Sequence, residues 1–215
     1  MRANSNRSRN VKTTFEKGIR PHVEGKDVLH LGCVAHDESK RKSGNWTHDL
    51  IVREASDVLG VDILEKDVQN LRSEGYSVEC ADAQNLDLGR TFEVIVLGEL
   101  IEHLTDFNGL LKSIDEHLAP GGKIIITTPN ATAVHWTALR LLNIEFVNDE
   151  HTCWFDRVTL SQLLARYGFS LVNTTYTGDA SFKLRDPLQA GGWIIERVLP
   201  DRVGKSTLIV VAERS

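Results

Sequence analysis

The sequence is poor in the features that would place it in several large protein classes. It has only three cysteines, far apart and without a Cys-x-x-Cys pair, which argues against a zinc knuckle and against a disulfide framework. No apolar run approaches the roughly 20 residues that a transmembrane helix needs, and the polar start lacks the apolar core of a secretory signal. We therefore expect no transmembrane segment and a reducing, cytoplasmic location.

The sequence also lacks an excess of positive charge. The chain has 25 lysines and arginines against 30 aspartates and glutamates, a formal net charge of -5. A nucleic-acid partner requires a basic surface that neutralises phosphates, so none is expected. Residues 1–10 are the exception, since Arg2, Arg7 and Arg9 make them basic. We interpret them as a flexible basic tail, with a contact to an anionic partner as the open alternative.

Glycine is missing from the place where nucleotide-binding loops usually have most of it. The apolar run VLHL at 28–31 leads to Gly32, but CVAH follows where further glycines are usual. The dinucleotide-binding pattern G-x-G-x-x-G is therefore absent. Taken alone, this segment has two interpretations: a cofactor loop with a single glycine, or a strand that ends in an ordinary turn.

What the sequence does contain is an alternation of short apolar runs with amphipathic stretches. The apolar runs predict strands at 27–32, 57–63, 76–82, 92–98 and 123–129. The amphipathic stretches predict helices at 48–56, 64–75 and 159–169, and a helix closed by Pro-Gly at 106–122. Strands this uniformly apolar are buried on both faces, which indicates a parallel sheet flanked by helices. The predicted fold is α/β, with a doubly wound, Rossmann-like sheet.

The last third of the chain departs from this alternation. Strands are predicted at 170–178 and 206–214, with no obvious crossover helix between them. We therefore expect a C-terminal antiparallel hairpin that completes a mostly parallel sheet of seven strands. The predicted organisation is one domain over 11–215 with an insertion at about 178–205. For the insertion, a docked helix, a lid, a homodimer contact and a surface for a lipid-linked acceptor stay open.

Acidic residues follow the second and third predicted strands. In an open parallel sheet, ligands bind beyond the carboxyl ends of the strands. At such a place Asp62 can accept hydrogen bonds from both hydroxyls of a ribose, and Asp82 can accept one from the exocyclic amine of adenine. Each residue alone serves equally as a helix cap or turn residue. Their order after Gly32 favours a nucleoside-containing cofactor.

This ordered set of motifs resembles the class I S-adenosylmethionine-dependent methyltransferases over nearly the whole chain. VLHLGC, GVDI, ADAQNL and FEVIVLGELIEHL are similar to the first four motifs of that family, and LAPGGKIIITTPN is similar to its strand-five block. EHTCWFDRVTLSQLLARYGF is similar to the block that follows in small-molecule and sugar O-methyltransferases. The resemblance implies S-adenosylmethionine as the cofactor and a hydroxyl of a small molecule or glycoconjugate as the methyl acceptor.

The resemblance also implies roles for individual residues. Gly32 would face the methionine part of the cofactor, Asp62 the ribose and Asp82 the adenine. The cofactor-binding residues expected on this basis are His30, Gly32, Cys33, Asp62, Ile63, Asp82, Ala83, Gly98 and Glu99. Two departures from the family stand out. His30 occupies a position that is usually acidic, and the stretch at 34–47 lengthens the loop after Gly32 into a candidate lid.

The segment GELIEHL at 98–104 has the densest chemistry. On a helix, Glu99, Glu102 and His103 would share one face. Such a face suits a divalent cation, in line with the similar ExxEH pattern of quinone O-methyltransferases. The alternatives are the positioning of the cofactor and of a general base, and a cap in which the histidine bonds to the backbone. No metal is assigned. Because an acceptor hydroxyl needs a base as the methyl group arrives, His103 and His151 are the catalytic candidates.

Four further residues have two interpretations each. Trp46 and His48 either approach the cofactor and acceptor or pack in the core and cap a helix. Trp154 and Phe155 either wall an acceptor pocket or fill the core.

Two other functional classes also remain open. A nicotinamide-dependent oxidoreductase shares this type of fold, but G-x-G-x-x-G and Tyr-x-x-x-Lys are both absent. A non-catalytic nucleoside-binding module is supported by the missing glycines.

Overall fold

The structure, a computed structural model, describes residues 11–35, 41, 46–145, 147–179 and 199–215. The basic tail at 1–10 and most of the predicted insertion lie outside the described residues. Over the described part, seven strands form one sheet in the order β3-β2-β1-β4-β5-β7-β6. The strands are β1 (Asp27–Leu31), β2 (Asp57–Asp62), β3 (Val78–Cys80), β4 (Phe92–Gly98), β5 (Leu118–Pro129), β6 (Phe169–Asp179) and β7 (Lys205–Arg214).

Strand direction follows the prediction. Strands β1 to β5 pair in parallel, while β7 pairs antiparallel with both β5 and β6. The predicted seven-stranded, mostly parallel sheet with a C-terminal antiparallel pair is therefore confirmed. Because β1 has β2 on one side and β4 on the other, the winding of the chain reverses at β1. In open sheets this switch point is where ligands bind.

Helices pack on the two faces of the sheet. They are a π-helical turn (Phe15–Ile19), α1 (Arg20–Val23), α2 (Thr47–Glu54), α3 (Glu65–Ser73), a 3₁₀ turn (Ile101–His103), α4 (Phe107–His117), α5 (Val134–Leu141), α6 (Arg157–Ala165) and α7 (Asp201–Gly204). Successive residues of β1 face opposite sides, as strand geometry requires. Leu29 joins a core cluster with Leu110 of α4, and Val28 joins another with Phe15 and Ile51.

Two predicted helices have different bounds in the structure. The helix expected at 106–122 ends at His117, because Leu118 already pairs with Phe92 of β4. The Pro-Gly pair lies instead inside the long β5, where Gly121 has a φ of 73° that suits the third position of a type II turn. The helices that precede β1 and follow β5 were not predicted. No helix among the described residues has both the length and the apolarity needed to cross a bilayer.

The start of α6 depends on a reciprocal cap. The Asp156 side chain accepts a hydrogen bond from the Thr159 N–H at 2.7 Å, and the Thr159 hydroxyl accepts one from the Asp156 N–H at 3.1 Å. Both donors would otherwise lack a partner, since the first turn of a helix has no preceding carbonyls. Two buried leucines of this helix, Leu160 and Leu164, then pack in the core cluster of α4.

Removal of this cap is expected to destabilise the fold measurably. Asp156→Ala should lower the free energy of unfolding by about 1 kcal/mol, because it leaves the Thr159 N–H without its acceptor. Asp156→Asn keeps an acceptor oxygen and is the matched control, with a loss expected to stay within about 0.5 kcal/mol. Urea unfolding followed by circular dichroism measures both. Equal losses in the two variants would contradict the role of the cap.

Candidate active site

The turn after β1 explains the single glycine of its loop. Gly32 has a φ of 74°, a backbone conformation that residues with a Cβ rarely adopt. A Cβ there would also lie 3.3 Å from the side chain of Leu100. The N–H groups of Gly32 and Cys33 both donate to the Val61 carbonyl, at 2.9 and 3.2 Å. One glycine is thus enough to turn the chain over the end of β2. His36 lies outside the described residues.

Asp62 acts both as a structural anchor and as an available acceptor. Its Oδ2 accepts from the Val34 N–H at 2.9 Å and its Oδ1 from the Leu64 N–H at 3.1 Å. The side chain is 9% exposed. Since each carboxylate oxygen can accept two hydrogen bonds, these contacts leave capacity for further donors. Asp62 can therefore stabilise the turn and still bind a ligand. The hydrogen bond from the Val34 N–H orients its carboxylate.

Asp82 is held in a similar way at the next strand end. Its Oδ1 accepts from the Gln84 N–H at 2.9 Å and from the Gln84 side-chain amide at 3.2 Å. The Gln84 carbonyl oxygen in turn accepts from the Asp106 N–H at 2.9 Å, just before α4. Gln84, which the sequence argument did not single out, thus joins the loop after β3 to the loop after β4.

A cavity of about 500 Å³ opens between these strand ends. All nine residues predicted to bind the cofactor line it, together with His103: His30, Gly32, Cys33, Asp62, Ile63, Asp82, Ala83, Gly98, Glu99 and His103. His151 is not among its lining residues. The volume is within the range of small-molecule sites. The sequence argument missed other lining residues, notably Leu64, Gln84, Leu100 and Glu150.

Trp46 belongs to the cavity wall, and His48 belongs to the core. The Trp46 indole N–H donates to the Cys33 carbonyl at 2.8 Å, and the side chain lines the cavity while it is only 5% exposed. The Cys33 thiol is fully buried, and burial together with the Asp62 charge raises its pKa to about 12. A thiol in that state is neither a nucleophile nor a metal ligand. Cys33 therefore contributes shape and a backbone carbonyl.

His30 and His48 form a buried imidazole pair. Their Nδ1 atoms are 3.1 Å apart, and the ring planes are inclined by 20° with centroids 5.3 Å apart. Burial lowers the pKa of both rings, well below the usual value for His30 and to about 4 for His48. Both imidazoles are therefore neutral near pH 7, so one Nδ1–H donates to the other Nδ1. Of the two residues, only His30 lines the cavity.

The acidic segment after β4 does not form the single helical face that its spacing would give on a helix. Glu99 has a φ of 52°, and its N–H donates to the Thr127 carbonyl and hydroxyl at 3.0 and 3.1 Å. The 3₁₀ turn starts only at Ile101. Glu102 is 1% exposed and accepts from the Thr128 hydroxyl at 3.0 Å. Burial and then the Glu99 charge raise the pKa of Glu102 to about 9.

The two candidate catalytic histidines lie against each other. The rings of His103 and His151 are perpendicular, with centroids 4.7 Å apart. Burial, then the neighbouring His103, lowers the pKa of His151. The His103 Nδ1 lies 4.0 Å from a carboxylate oxygen of Glu150. One ligand atom from each of Glu102, His103 and His151 lies within 4.8 Å of the others. No cation is assigned to this group.

The aromatic residues after His151 have separate roles. Phe155 is buried in the main core cluster and meets Phe107 edge-on, with ring centroids 5.7 Å apart. Trp154 packs edge-on against Trp136 at 4.7 Å and lies 6.2 Å from the His151 ring. Neither Trp154 nor Phe155 lines the cavity. The core interpretation holds for Phe155, while Trp154 lies outside the cavity wall between the rings of Trp136 and His151.

Comparison with known proteins assigns the chain to a class. The family described as a methyltransferase domain matches residues 7–174, more than half of the chain. The chain therefore belongs to this family, and the predicted class, an S-adenosylmethionine-dependent methyltransferase, is confirmed. Family membership also decides against the nicotinamide-dependent oxidoreductase.

Individual relatives resemble the chain over different lengths. A ubiquinone biosynthesis O-methyltransferase from Rhizobium leguminosarum is 29% identical over 123 residues, 54% of this chain and 45% of that protein. The chain thus spans about half the length of the curated relatives that it matches.

Two solved structures share the fold. An S-adenosylmethionine-dependent methyltransferase from Archaeoglobus fulgidus has a TM-score of 0.65 and 18% identity, with 96% of this chain and 94% of that chain covered.

The second solved structure is a magnesium protoporphyrin IX methyltransferase from Synechocystis with bound S-adenosylhomocysteine. Its TM-score is 0.61 at 15% identity, with 98% of this chain and 84% of that chain covered. At such identities the likeness concerns the fold alone. It extends over nearly the whole chain and so includes the antiparallel strands β6 and β7.

The buried acid Glu102 is expected to make stability depend on pH. A native pKa of about 9 lies above the unfolded value of 4.5, so the native state binds the proton more tightly. Wild-type stability should therefore fall as pH rises from about 4.5 to about 9. Glu102→Gln removes this dependence. The free energy of unfolding of Glu102→Gln minus that of the wild type should therefore increase by at least about 1 kcal/mol from pH 5 to pH 8. Urea unfolding in the presence of a chelator measures this difference. Parallel pH profiles would contradict the shift.

Proposed function

We propose that the chain binds S-adenosylmethionine across the switch point of its sheet and transfers the methyl group to a hydroxyl of a small molecule or glycoconjugate. The observation that carries this proposal is the order of three groups around one cavity. Asp82 follows β3, Asp62 ends β2 and Gly32 follows β1, and these strands are neighbours in the sheet. The order matches the adenine, ribose and methionine parts of that cofactor.

The residues present fit the cofactor chemically. Asp62 has acceptor capacity left for two ribose hydroxyls beside its backbone contacts. Asp82 and the buried Ala83 would flank the adenine, with the carboxylate as acceptor for its exocyclic amine. At the other end, the Nε2 of the buried His30 has no hydrogen-bond partner among the described residues. A buried polar atom at a cavity wall normally has a partner, and a bound ligand would supply one.

When bound, S-adenosylmethionine supplies an electrophilic methyl group, and its transfer is an in-line displacement. The task of the chain is to align the acceptor hydroxyl and to take its proton. His103 lines the cavity and is the general base in this proposal. His151 stands behind it and acts as a positioning residue, because its ring contacts His103 and is not part of the cavity wall.

Glu99 and Glu150 contribute to the acceptor side. Both line the cavity near His103. A Glu150 carboxylate oxygen 4.0 Å from the His103 Nδ1 would stabilise the imidazolium that forms when the ring takes a proton. The left-handed backbone of Glu99 is the kind of local strain that persists where the surroundings fix a functional residue.

The acceptor class is the most general part of the proposal. The curated relatives are named as O-methyltransferases of ubiquinone biosynthesis, which supports a hydroxyl acceptor on a small molecule. A glycoconjugate acceptor rests on the sequence resemblance alone.

The cytoplasmic location is supported by the free state of Cys33, Cys80 and Cys153. A homodimer contact is one of the alternatives left open for the insertion at 178–205, which lies largely outside the described residues.

Replacement of Asp62 tests the cofactor assignment. Asp62→Ala should weaken S-adenosylmethionine binding by about 10- to 100-fold, because one or two hydrogen bonds to a carboxylate are lost. Asp67→Ala, an acid in the first turn of α3 that does not line the cavity, should leave affinity within about twofold. Isothermal titration calorimetry measures both, with NAD as the competing ligand. Unchanged affinity in Asp62→Ala, or tighter binding of NAD, would sink the assignment.

Replacement of His103 tests the base. His103→Gln should lower kcat by about 100-fold or more, the usual contribution of a general base, while S-adenosylmethionine affinity stays within about threefold. His151→Gln should cost less, about tenfold, because it acts through His103. The measurement is formation of S-adenosylhomocysteine over a panel of phenolic and sugar hydroxyl acceptors. A larger loss for His151→Gln would exchange the two roles, and turnover by neither wild type nor variants would favour a non-catalytic module.

A further inference from the structure

The sheet makes space for the His30–His48 pair with two glycines. His30 lies opposite Gly60 of β2 in the strand register. A Cβ on Gly60 would come within 2.7 Å of the His48 ring, and a Cβ on Gly98 would lie 3.2 Å from the His30 Nε2. Glycine inside a buried strand is unfavourable and often marks a close approach. Each ring of the pair thus occupies the volume that a strand side chain would otherwise fill.

Only one proton fits between the two Nδ1 atoms. The protonation states of the two Nε2 atoms therefore depend on each other. A neutral imidazole has one N–H. The ring that donates its Nδ1–H therefore has a bare Nε2, and the ring that accepts carries its proton on Nε2. The pair has two arrangements. Either His30 offers an Nε2–H to the cavity and the His48 Nε2 is bare, or the two states are exchanged.

The surroundings of His48 decide between these arrangements. Its ring is fully buried beside the rings of Trp46 and Tyr76, at 5.1 and 5.7 Å between centroids. Neither Nε2 has a hydrogen-bond partner among the described residues, but of the two rings only that of His30 lines the cavity, where a bound ligand can supply an acceptor. A buried N–H without an acceptor is the rarer and costlier defect, and a bare acceptor is tolerated better. With an acceptor bound in the cavity, His48 therefore keeps its proton on Nδ1, and His30 carries its proton on Nε2, beside the cavity-lining Gly98.

We propose that His48 is a positioning residue that fixes this tautomer, so that the His30 Nε2–H donates to the carboxylate of the methionine part of the cofactor. The inference rests on the proposed binding of S-adenosylmethionine. Asp82 and Asp62 take the adenine and ribose ends of the cavity. The polar groups left for the Gly32 and Gly98 end are the ammonium and carboxylate of the methionine part. Of these two groups, only the carboxylate accepts a hydrogen bond.

Two ligands and two variants test the proposal by calorimetry. The ligands are S-adenosylmethionine and its decarboxylated analogue, which lacks the carboxylate and keeps the ammonium. His48→Leu should weaken S-adenosylmethionine binding about tenfold, because the hydrogen bond from His30 to the charged carboxylate is lost. The affinity for the analogue should change less than about twofold. His48→Asn places an amide donor near the position of the Nδ1 and should restore S-adenosylmethionine affinity to within about threefold.

A matched control separates this role from packing. His117 is also buried, and its nitrogens pair with the Ser113 carbonyl and the Leu88 N–H outside the cavity. His117→Leu should lower stability in thermal unfolding and leave the ratio of the two affinities unchanged within about twofold. If His48→Leu weakens both ligands equally, or if His48→Asn fails to restore affinity while it still folds, the inference is overturned.

Nitrogen chemical shifts give a readout that does not depend on turnover. In the chain labelled with ¹⁵N-histidine, the wild type with S-adenosylmethionine bound should show a protonated Nε2 and a bare Nδ1 for His30, with the reverse for His48. His48→Leu should convert His30 to a mixture of tautomers. A bare His30 Nε2 in the wild type overturns the inference. If the wild type binds neither ligand, the proposed function fails as well, whereas intact binding with the wrong tautomer overturns this inference alone.

Discussion

The parallel register of β1 with β2 on one side and β4 on the other is the constraint on which the site depends. Leu31 pairs with Val61 and with Leu97, so three strands end at the same height. The next residue of each strand or its turn, Gly32, Asp62 and Gly98, must then border one space. A shift of one residue in any strand would move its side chains to the other face. The apolar packing on both faces therefore also determines the geometry of the cavity.

Sequence reasoning located residues correctly where their position follows from chain order. Asp62, Asp82 and Gly32 could be placed because the ends of parallel strands are determined by the alternation of strand and helix. The structure brings all three to one cavity. The position of Glu150 could not be obtained in this way, since it lies on a loop that meets His103 only through tertiary packing. Its one signal was proximity to His151, which was selected for its chemistry instead.

Side-chain partners were the least predictable part of the site. The contact between His30 and His48 joins a strand to a helix and depends on a glycine in a third element. No local pattern encodes such a contact. The helical spacing of Glu99 and His103 was misleading for a related reason. The strand continues to Gly98 and a left-handed residue follows, so the helical turn begins later than the spacing implies. Tertiary hydrogen bonds to Thr127 override the local periodicity.

The hydrogen bond from the Trp46 indole to the Cys33 carbonyl has a consequence for how this family member can vary. The contact holds together the two ends of the stretch between β1 and α2. Doubling the length of a flexible loop whose ends are already joined costs only about 0.6 kcal/mol. Residues can thus be added or removed between Cys33 and Trp46 while the strand ends stay in place.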